Sequence, residues 1–460
     1  MDALWQQLLM LDPAVLILAA MPLFGLALLL SQIARRETAV RGTRLAGADP
    51  LRRLYWHFKA SAGEMLDFAG KPILRLDETK HFKLIGTTGT GKSTAIAKLL
   101  GAALRRGDRA VIADPDGGYC AKFFDAGRGD KVLNPFASRS SKWEPLAELE
   151  DAADPEHLAS ALIASSADAT AGEWRGYART FVAATLERCR AVPDCDTGEL
   201  WRLIAVAGPE ELRPLLAGTP AQPLLDPDNA RMFGSLRAIA VSAMRPLEFI
   251  QRQGGLPFSV RQWVRQGRGV LFIPYSARQI AALRTLIATW MGLAIFEALS
   301  QKQGHDQRLW LIVDELDALG AIDGLKDALA RLRKFGGRCV LGFQSVAQVS
   351  AIYGAGDAQT IVENCGNTLI LRCSGSENGG TSQYASRLIG DREIIRRQRS
   401  RGRDNPGGLF AAAPRRSLQV TEQRVLEPAV LAAQIEQLPD LAGYLKTASS
   451  PVWHAVRIAR

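Results

Sequence analysis

Cysteine and histidine are sparse in this chain, and neither is arranged for chemistry. Its six cysteines, Cys120, Cys189, Cys195, Cys339, Cys365 and Cys373, include no C-x-x-C pair, and its five histidines form no H-x-x-x-H. That argues for reduced thiols and against a structural zinc. No LSGGQ-like stretch occurs, which argues against an ABC-transporter ATPase. Lysine and arginine are missing before Arg35, and no charge of either sign interrupts Ala14 to Leu30. A cleaved signal peptide needs a basic start, so this run is not read as one.

What is present is a chain of 460 residues, 47% hydrophobic and 23% charged, long enough for two or three domains with proper cores. A formal net charge of +10 points to an anionic partner, either nucleic acid or a membrane face. The run AVLILAAMPLFGLALLL, extended by a few residues, is long enough as a helix to span a bilayer. Pro22 and Gly25 are compatible with that, since both are common in membrane helices. Arg35, Arg36, Arg41, Arg44, Arg52 and Arg53 all follow the run, which places the main body in the cytoplasm.

The stretch KLIGTTGTGKS, Lys83 to Ser93, combines a short apolar strand with the spacing G-x-x-x-x-G-K-[ST]. It reads as a cradle for nucleotide phosphates, with Gly86, Gly89 and Gly91 letting backbone N–H groups turn inward. Lys92 supplies a charge expected to be solvated, and Ser93 offers a hydroxyl to Mg²⁺. The helix continuing through Thr94 to Leu100 directs its positive end at the same phosphates. RAVIAD, Arg109 to Asp114, reads as a second buried strand, and DKVLNPF opens a third. From about Leu146 to Phe249 the pattern turns helical, with stretches at Glu156 to Ser165, Trp174 to Arg190 and Asn229 to Met244. So many consecutive helices cannot all cover one sheet, so they are expected to form an inserted domain.

The α/β pattern returns with RGVLFIPY and a long helix from Ala277 to Leu299. In RLWLIVDELDALG an apolar strand ends in Asp314 and Glu315. This is the pairing ATP hydrolysis requires, one carboxylate for Mg²⁺ and its neighbour for the attacking water. A helix from Leu325 to Phe335 precedes RCVLGFQS, which sets Gln344 at a strand's carboxyl end, and NTLILRCS adds another strand. The basic, Gly/Pro-containing segment DREIIRRQRSRGRDNPGG is expected to be a mobile loop.

These marks in order, GTTGTGKS, DPDGGY, LNPFASRSSKWEPL, IVDELDALG, GFQS and IEQLPDLAGYL, resemble the type IV secretion coupling proteins of the TraD/TrwB kind, within the FtsK/HerA-like ring ATPases. The resemblance runs from about Leu54 onward. It implies an α/β, RecA-like P-loop NTPase domain with an inserted all-α domain and an N-terminal transmembrane helix. The expected boundaries are an anchor over 1–34, nucleotide-binding parts over 35–145 and 256–460, and the all-α domain over 146–255. The implied activity is that of a hexameric, DNA-dependent ATPase using ATP and Mg²⁺ at the bacterial inner membrane. It would deliver single-stranded DNA carrying a relaxase to the channel subunits of a type IV secretion system during conjugation.

Carried over residue by residue, the resemblance places nucleotide binding on Gly86, Thr87, Thr88, Gly89, Thr90, Gly91, Lys92, Ser93 and Thr94. It places Mg²⁺ on Ser93 and Asp314, water activation on Glu315 and γ-phosphate sensing on Gln344. Arg333 corresponds to the arginine such rings offer to a neighbour's ATP. Recruitment of protein effectors and a double-stranded DNA pump are the competing readings. Family members commonly carry two membrane helices around a small periplasmic domain, whereas this sequence shows one convincing span.

Overall fold

The computed structural model describes residues 37–46, 65–164, 168–304, 308–376, 379–404 and 415–459. The chain divides into two compact units, Met1–Arg44 with Ser386–Leu431, and Leu45–Ala385 with Ala432–Arg460. The apolar run Ala14 to Leu30 lies outside the described residues. In chain order the strands are β1 (Glu37–Gly42), β2 (Arg44–Ala46), β3 (Leu66–Phe68), β4 (Lys71–Ile73), β5 (Phe82–Ile85), β6 (Arg109–Pro115), β7 (Lys131–Val132), β8 (Lys142–Trp143), β9 (Pro257–Phe258), β10 (Val270–Tyr275), β11 (Leu309–Val313), β12 (Gly337–Phe343), β13 (Asn367–Ile370), β14 (Asp391–Asp404), β15 (Arg415–Pro428), β16 (Ala442–Lys446) and β17 (Val452–Arg457).

The larger unit is built on a ten-stranded sheet in the order β2-β17-β16-β13-β5-β12-β11-β6-β10-β7. Pairing is parallel from β13 through β7, and β16 and β17 join the β13 side antiparallel. A parallel sheet is covered on both faces, and β5, β11 and β12 are accordingly buried at every position. On one face the helix Lys92–Arg105 sets Ala95, Ile96, Leu99, Leu100 and Ala103 against Phe82, Leu84, Ile112, Phe272, Trp310 and Val340. Truncating Leu99, which is fully buried, to alanine would cost about 2–5 kcal/mol. The helix Ile280–Ser300 is apolar on nearly every side and long enough to cross a membrane, yet it is mostly buried, packing against β6, β10 and β11 and against the helices Asp154–Leu162 and Val260–Gln266.

Between β8 and β9 the chain is helical, in the segments Asp154–Leu162, Ala169–Arg190, Thr197–Ala205, Pro209–Leu215 and Ala230–Met244. They bury their own cluster, in which Phe181 meets Phe233 edge-on at 5.3 Å between ring centroids. Thr197–Ala205 and Pro209–Leu215 are short helices of nine and seven residues that the sequence pattern does not single out within the helical stretch. The stretch leaves and returns at one place, where β8 and β9 pair in parallel, Lys142 with Pro257 and Trp143 with Phe258. Beside that pairing the buried Glu148 accepts from Trp143 Nε1 (2.8 Å), Ser259 Oγ (2.8 Å), Val260 N (2.6 Å) and Arg261 N (3.0 Å). Burial pushes its carboxyl above the usual range, against the pull of these four donors.

The smaller unit corrects the expected loop. Residues 391–404 of the basic segment form β14, which pairs antiparallel with β15 along fourteen residues and with β1 on its other edge. Arginines alternating with apolar and small residues read as a charge run. The ladder that makes them a strand is supplied by residues 415–428, beyond the reach of local patterning.

Glu148→Ala leaves four donors without their acceptor, so it is expected to lower unfolding stability by about 3 kcal/mol or more. Denaturant midpoints of the two proteins measure this, and coincident midpoints would remove Glu148 as the clasp of the helical stretch.

Candidate functional site

The phosphate-cradle loop leaves β5 at Ile85 and enters the helix at Lys92. Gly89 and Gly91 stand at φ +78° and +113°, in the left-handed region that side chains disfavour. A Cβ on Gly91 would also fall 2.7 Å from Leu441 Cδ2. The loop is tied from outside, since Thr87 N donates to Arg372 O (2.9 Å) and Leu441 N to Thr90 O (2.9 Å). Thr90 Oγ1 closes the turn on Thr87 O at 2.7 Å. The late motif IEQLPDLAGYL, which contains Leu441, thus buttresses the loop. Lys92 departs from expectation, because it is buried and its Nζ donates to Gly86 O (2.6 Å) and Thr87 O (3.2 Å). Burial lowers its pKa, while Asp314 and Glu315 work in the opposite direction.

Three strand ends bring polar side chains to the same place. Asp314 follows β11 and is buried, its Oδ2 accepting from Tyr119 Oη at 2.8 Å, while Oδ1 has no partner among the described residues. Gly342 of β12 permits the close approach, since a Cβ there would lie 2.2 Å from Asp314 O. Glu315 Oε1 accepts from Gln344 Nε2 (2.7 Å) just beyond β12. Near the end of β6, Asp114 accepts from the backbone N–H groups of Tyr119 (3.1 Å) and Cys120 (2.7 Å). Burial pushes Asp114 up to about 6, helped by the charges of Asp314 and Asp116 and opposed by those two N–H groups. Burial beside Asp314 likewise raises the Tyr119 phenol, which therefore stays a proton donor.

A cavity of about 500 Å³ gathers residues from both motifs, with Thr88, Gly89, Gly91, Lys92, Ser93 and Thr94 on one side and Asp314, Glu315 and Gln344 on the other. Gly86, Thr87 and Thr90 do not line it and shape the loop behind it. Arg333 is elsewhere, exposed on the one-turn helix Leu332–Phe335, with no side-chain partner among the described residues. The sequence motifs assign no role to Asp114, Tyr119 or Lys122, although Tyr119 and Lys122 line the cavity. The signals were Asp114 at a strand end and the turn DPDGGY behind it. The cavity suits a nucleotide triphosphate with a divalent cation: a fourteen-residue helix opens there with a lysine in its first turn. The unsatisfied Asp314 Oδ1 and the Ser93 hydroxyl are the hard oxygen donors such a cation takes.

Residues 65–459 match the family model described as the type IV secretion-system coupling protein DNA-binding domain. The coupling protein TraD of Escherichia coli K12 is 29% identical over 382 residues, which cover 81% of this chain and 52% of TraD. The conjugal transfer protein TraG of Escherichia coli is 24% identical over 222 residues, 45% of this chain and 34% of TraG. The chain thus spans about half the length of the first relative and a third of the second. Among solved structures, the unbound bacterial conjugative coupling protein TrwBdeltaN70 superposes with a TM-score of 0.78 at 29% identity, covering 92% of this chain and 93% of that one. TrwB in complex with ADP and Mg²⁺ superposes with a TM-score of 0.77 at 29% identity, covering 92% and 94%. TrwB in complex with the ATP analogue ADPNP gives the same figures.

Asp114 has a folded pKa near 6 against about 3.9 in an unfolded chain, so its ionisation removes stability as pH rises through that interval. Without divalent cation, the stability of the wild type relative to Asp114→Asn is expected to fall between pH 4 and 7, by about 3 kcal/mol at most. Denaturation of both proteins at the two pH values measures it, and a difference that is flat with pH would contradict the assignment.

Proposed function

This chain belongs to the type IV secretion-system coupling protein family, and on that premise we propose that it is a membrane-anchored, DNA-dependent ATPase that delivers relaxase-bound single-stranded DNA to a secretion channel in conjugative transfer. The observation that carries the reading is the cavity where Lys92 and Ser93 meet Asp314, Glu315 and Gln344. TrwB has been solved with ADPNP and with ADP and Mg²⁺, which supports ATP and Mg²⁺ as the cofactors here.

Bound in the cavity, Mg²⁺-ATP would supply the transferable phosphoryl group and part of the charge neutralisation. Lys92, which donates to Gly86 O and Thr87 O, would hold the phosphate oxygens. Ser93 and Asp314 would hold the cation, and Tyr119 fixes the Asp314 carboxylate through Oδ2, which keeps Oδ1 available. Glu315 orients water and takes its proton, while Gln344, hydrogen-bonded to Glu315, links that carboxylate to the end of β12.

In this reading residues 1–34 anchor the chain in the inner membrane with a single span, and the main body is cytoplasmic. Residues 35–145 and 256–460 bind nucleotide, and 146–255 act as the all-α domain. The assembly is a hexamer in which the exposed Arg333 is offered to a neighbour's site, a role that requires no partner within its own subunit.

Single-stranded DNA should stimulate ATP turnover. Lys92→Ala and Glu315→Gln should each abolish turnover, with Glu315→Gln still binding ATP; wild-type turnover in either would sink the site. The ring has its own test. Arg333→Ala should be stable and slowed about a thousandfold or more. Under subunit exchange with Glu315→Gln, activity should reappear, because an Arg333→Ala site beside a Glu315→Gln neighbour is complete. Co-assembled mutants that stay inactive would exclude a shared site.

A further inference from the structure

Tyr275 closes β10, and its hydroxyl is buried with no hydrogen-bond partner among the described residues. A buried hydroxyl left unpaired is destabilising, and phenylalanine would fill the same space without that cost. What stands beside it gives the group a use. The register pairs Ile273 and Tyr275 of β10 with Ala113 and Pro115 of β6, and Ala113 in turn with Val313 of β11. Residues two apart on a strand share a face, so Tyr275 belongs to the face of Ala113 and Val313. Glu315 is two residues beyond Val313, which brings it level with Pro115 and Tyr275. Two strand spacings amount to about 10 Å, a gap that the side chains of a tyrosine and a glutamate can close between them over Pro115. After burial itself, the charge of Glu315 does most to raise the Tyr275 phenol above its usual range, ahead of Asp314, Asp114 and Asp317. The phenol therefore keeps its proton and is a donor to those carboxylates.

Glu315 has work for a second donor. Gln344 Nε2 holds its Oε1 at 2.7 Å from the β12 side. A carboxylate fixed through one oxygen can still swing, whereas a base has to aim at the water, and a misplacement of about 1 Å can cost about a hundredfold in rate. The cavity is lined by Glu315 and Gln344 but not by Tyr275, so the tyrosine approaches Glu315 from behind, away from the nucleotide. Resting on the reading of this cavity as an ATPase site, we propose that Tyr275 is a positioning residue for Glu315. In the loaded site its hydroxyl donates to the Glu315 carboxylate from the β10 side while Gln344 holds it from the β12 side, which turns the remaining lone pairs toward the attacking water. Hydrogen bonds of this kind are often long in an unloaded site and tighten in the loaded one. The competing acceptor is Asp317, whose Oδ1 is also buried without a partner among the described residues. A hydroxyl that served Asp317 would be structural.

Tyr275→Phe in the full chain removes the hydroxyl and keeps the ring. Its kcat for ATP hydrolysis should fall about tenfold or more, while KM for ATP and for Mg²⁺ stays within about twofold of the wild type. Its urea unfolding midpoint should be unchanged or higher, because an unpaired buried hydroxyl has been removed. A loss confined to kcat in a protein at least as stable as the wild type is a split that a packing role does not produce. Wild-type kcat in Tyr275→Phe overturns the positioning role and leaves the ATPase reading intact. A lowered midpoint with unchanged kcat also overturns it, and assigns the hydroxyl to Asp317. A rise in KM that accounts for the whole loss overturns it in favour of a nucleotide contact. A wild type without turnover, with or without single-stranded DNA, overturns the ATPase reading and this role together.

Discussion

The site depends first on how the phosphate-cradle loop is held. Gly91 has a backbone conformation that side chains disfavour, and the space its missing Cβ would need is filled by Leu441. Leu441 in turn donates to Thr90 O and accepts from Ile458 N, so the loop's shape is fixed by a segment near the carboxyl end of the chain. On its other flank Thr87 hangs from Arg372, just past β13. Arg372 also pairs with Asp440 at 2.7 Å, which joins the two flanks to each other. A loop tied at both sides loses little entropy when phosphates arrive, and the first turn of its helix keeps its N–H groups directed into the cavity.

A second constraint is electrostatic. The charge of buried Asp314 disfavours that of buried Asp114, and Glu315 adds a third carboxylate with Lys92 as the cavity's buried cation. Backbone N–H groups at Tyr119 and Cys120 and the Tyr119 hydroxyl offset part of this cost. What remains is a site biased toward cation binding before any ligand enters. The turn DPDGGY is therefore more than a connection after β6, since it delivers the donors that let two acids share one sheet edge. The Glu148 clasp lets a large helical stretch be added between β8 and β9 while the sheet order is preserved.

By itself the sequence determined the strand–loop–helix around Lys92, whose spacing is its own signature, and, only in the company of that loop, the carboxylate pair ending β11 and the place of Gln344 at a strand's carboxyl end. It also carried the long helical stretch, whose cores repeat with helical period. Only the tertiary structure decided what lies between those patterns. The burial of Lys92 follows from carbonyls of its own loop, which point at it only once Arg372 and Leu441 have fixed the turn. Tyr119 reaches Asp314 because β6 and β11 are neighbours in the sheet, although far apart in the chain. The basic segment became a strand because residues 415–428 pair with it, and the sheet gained β16 and β17 on its β13 side from the last residues of the chain. Helices and phosphate loops are specified by neighbours in sequence, whereas ladders, buried charges and shared cavities are specified by neighbours in space.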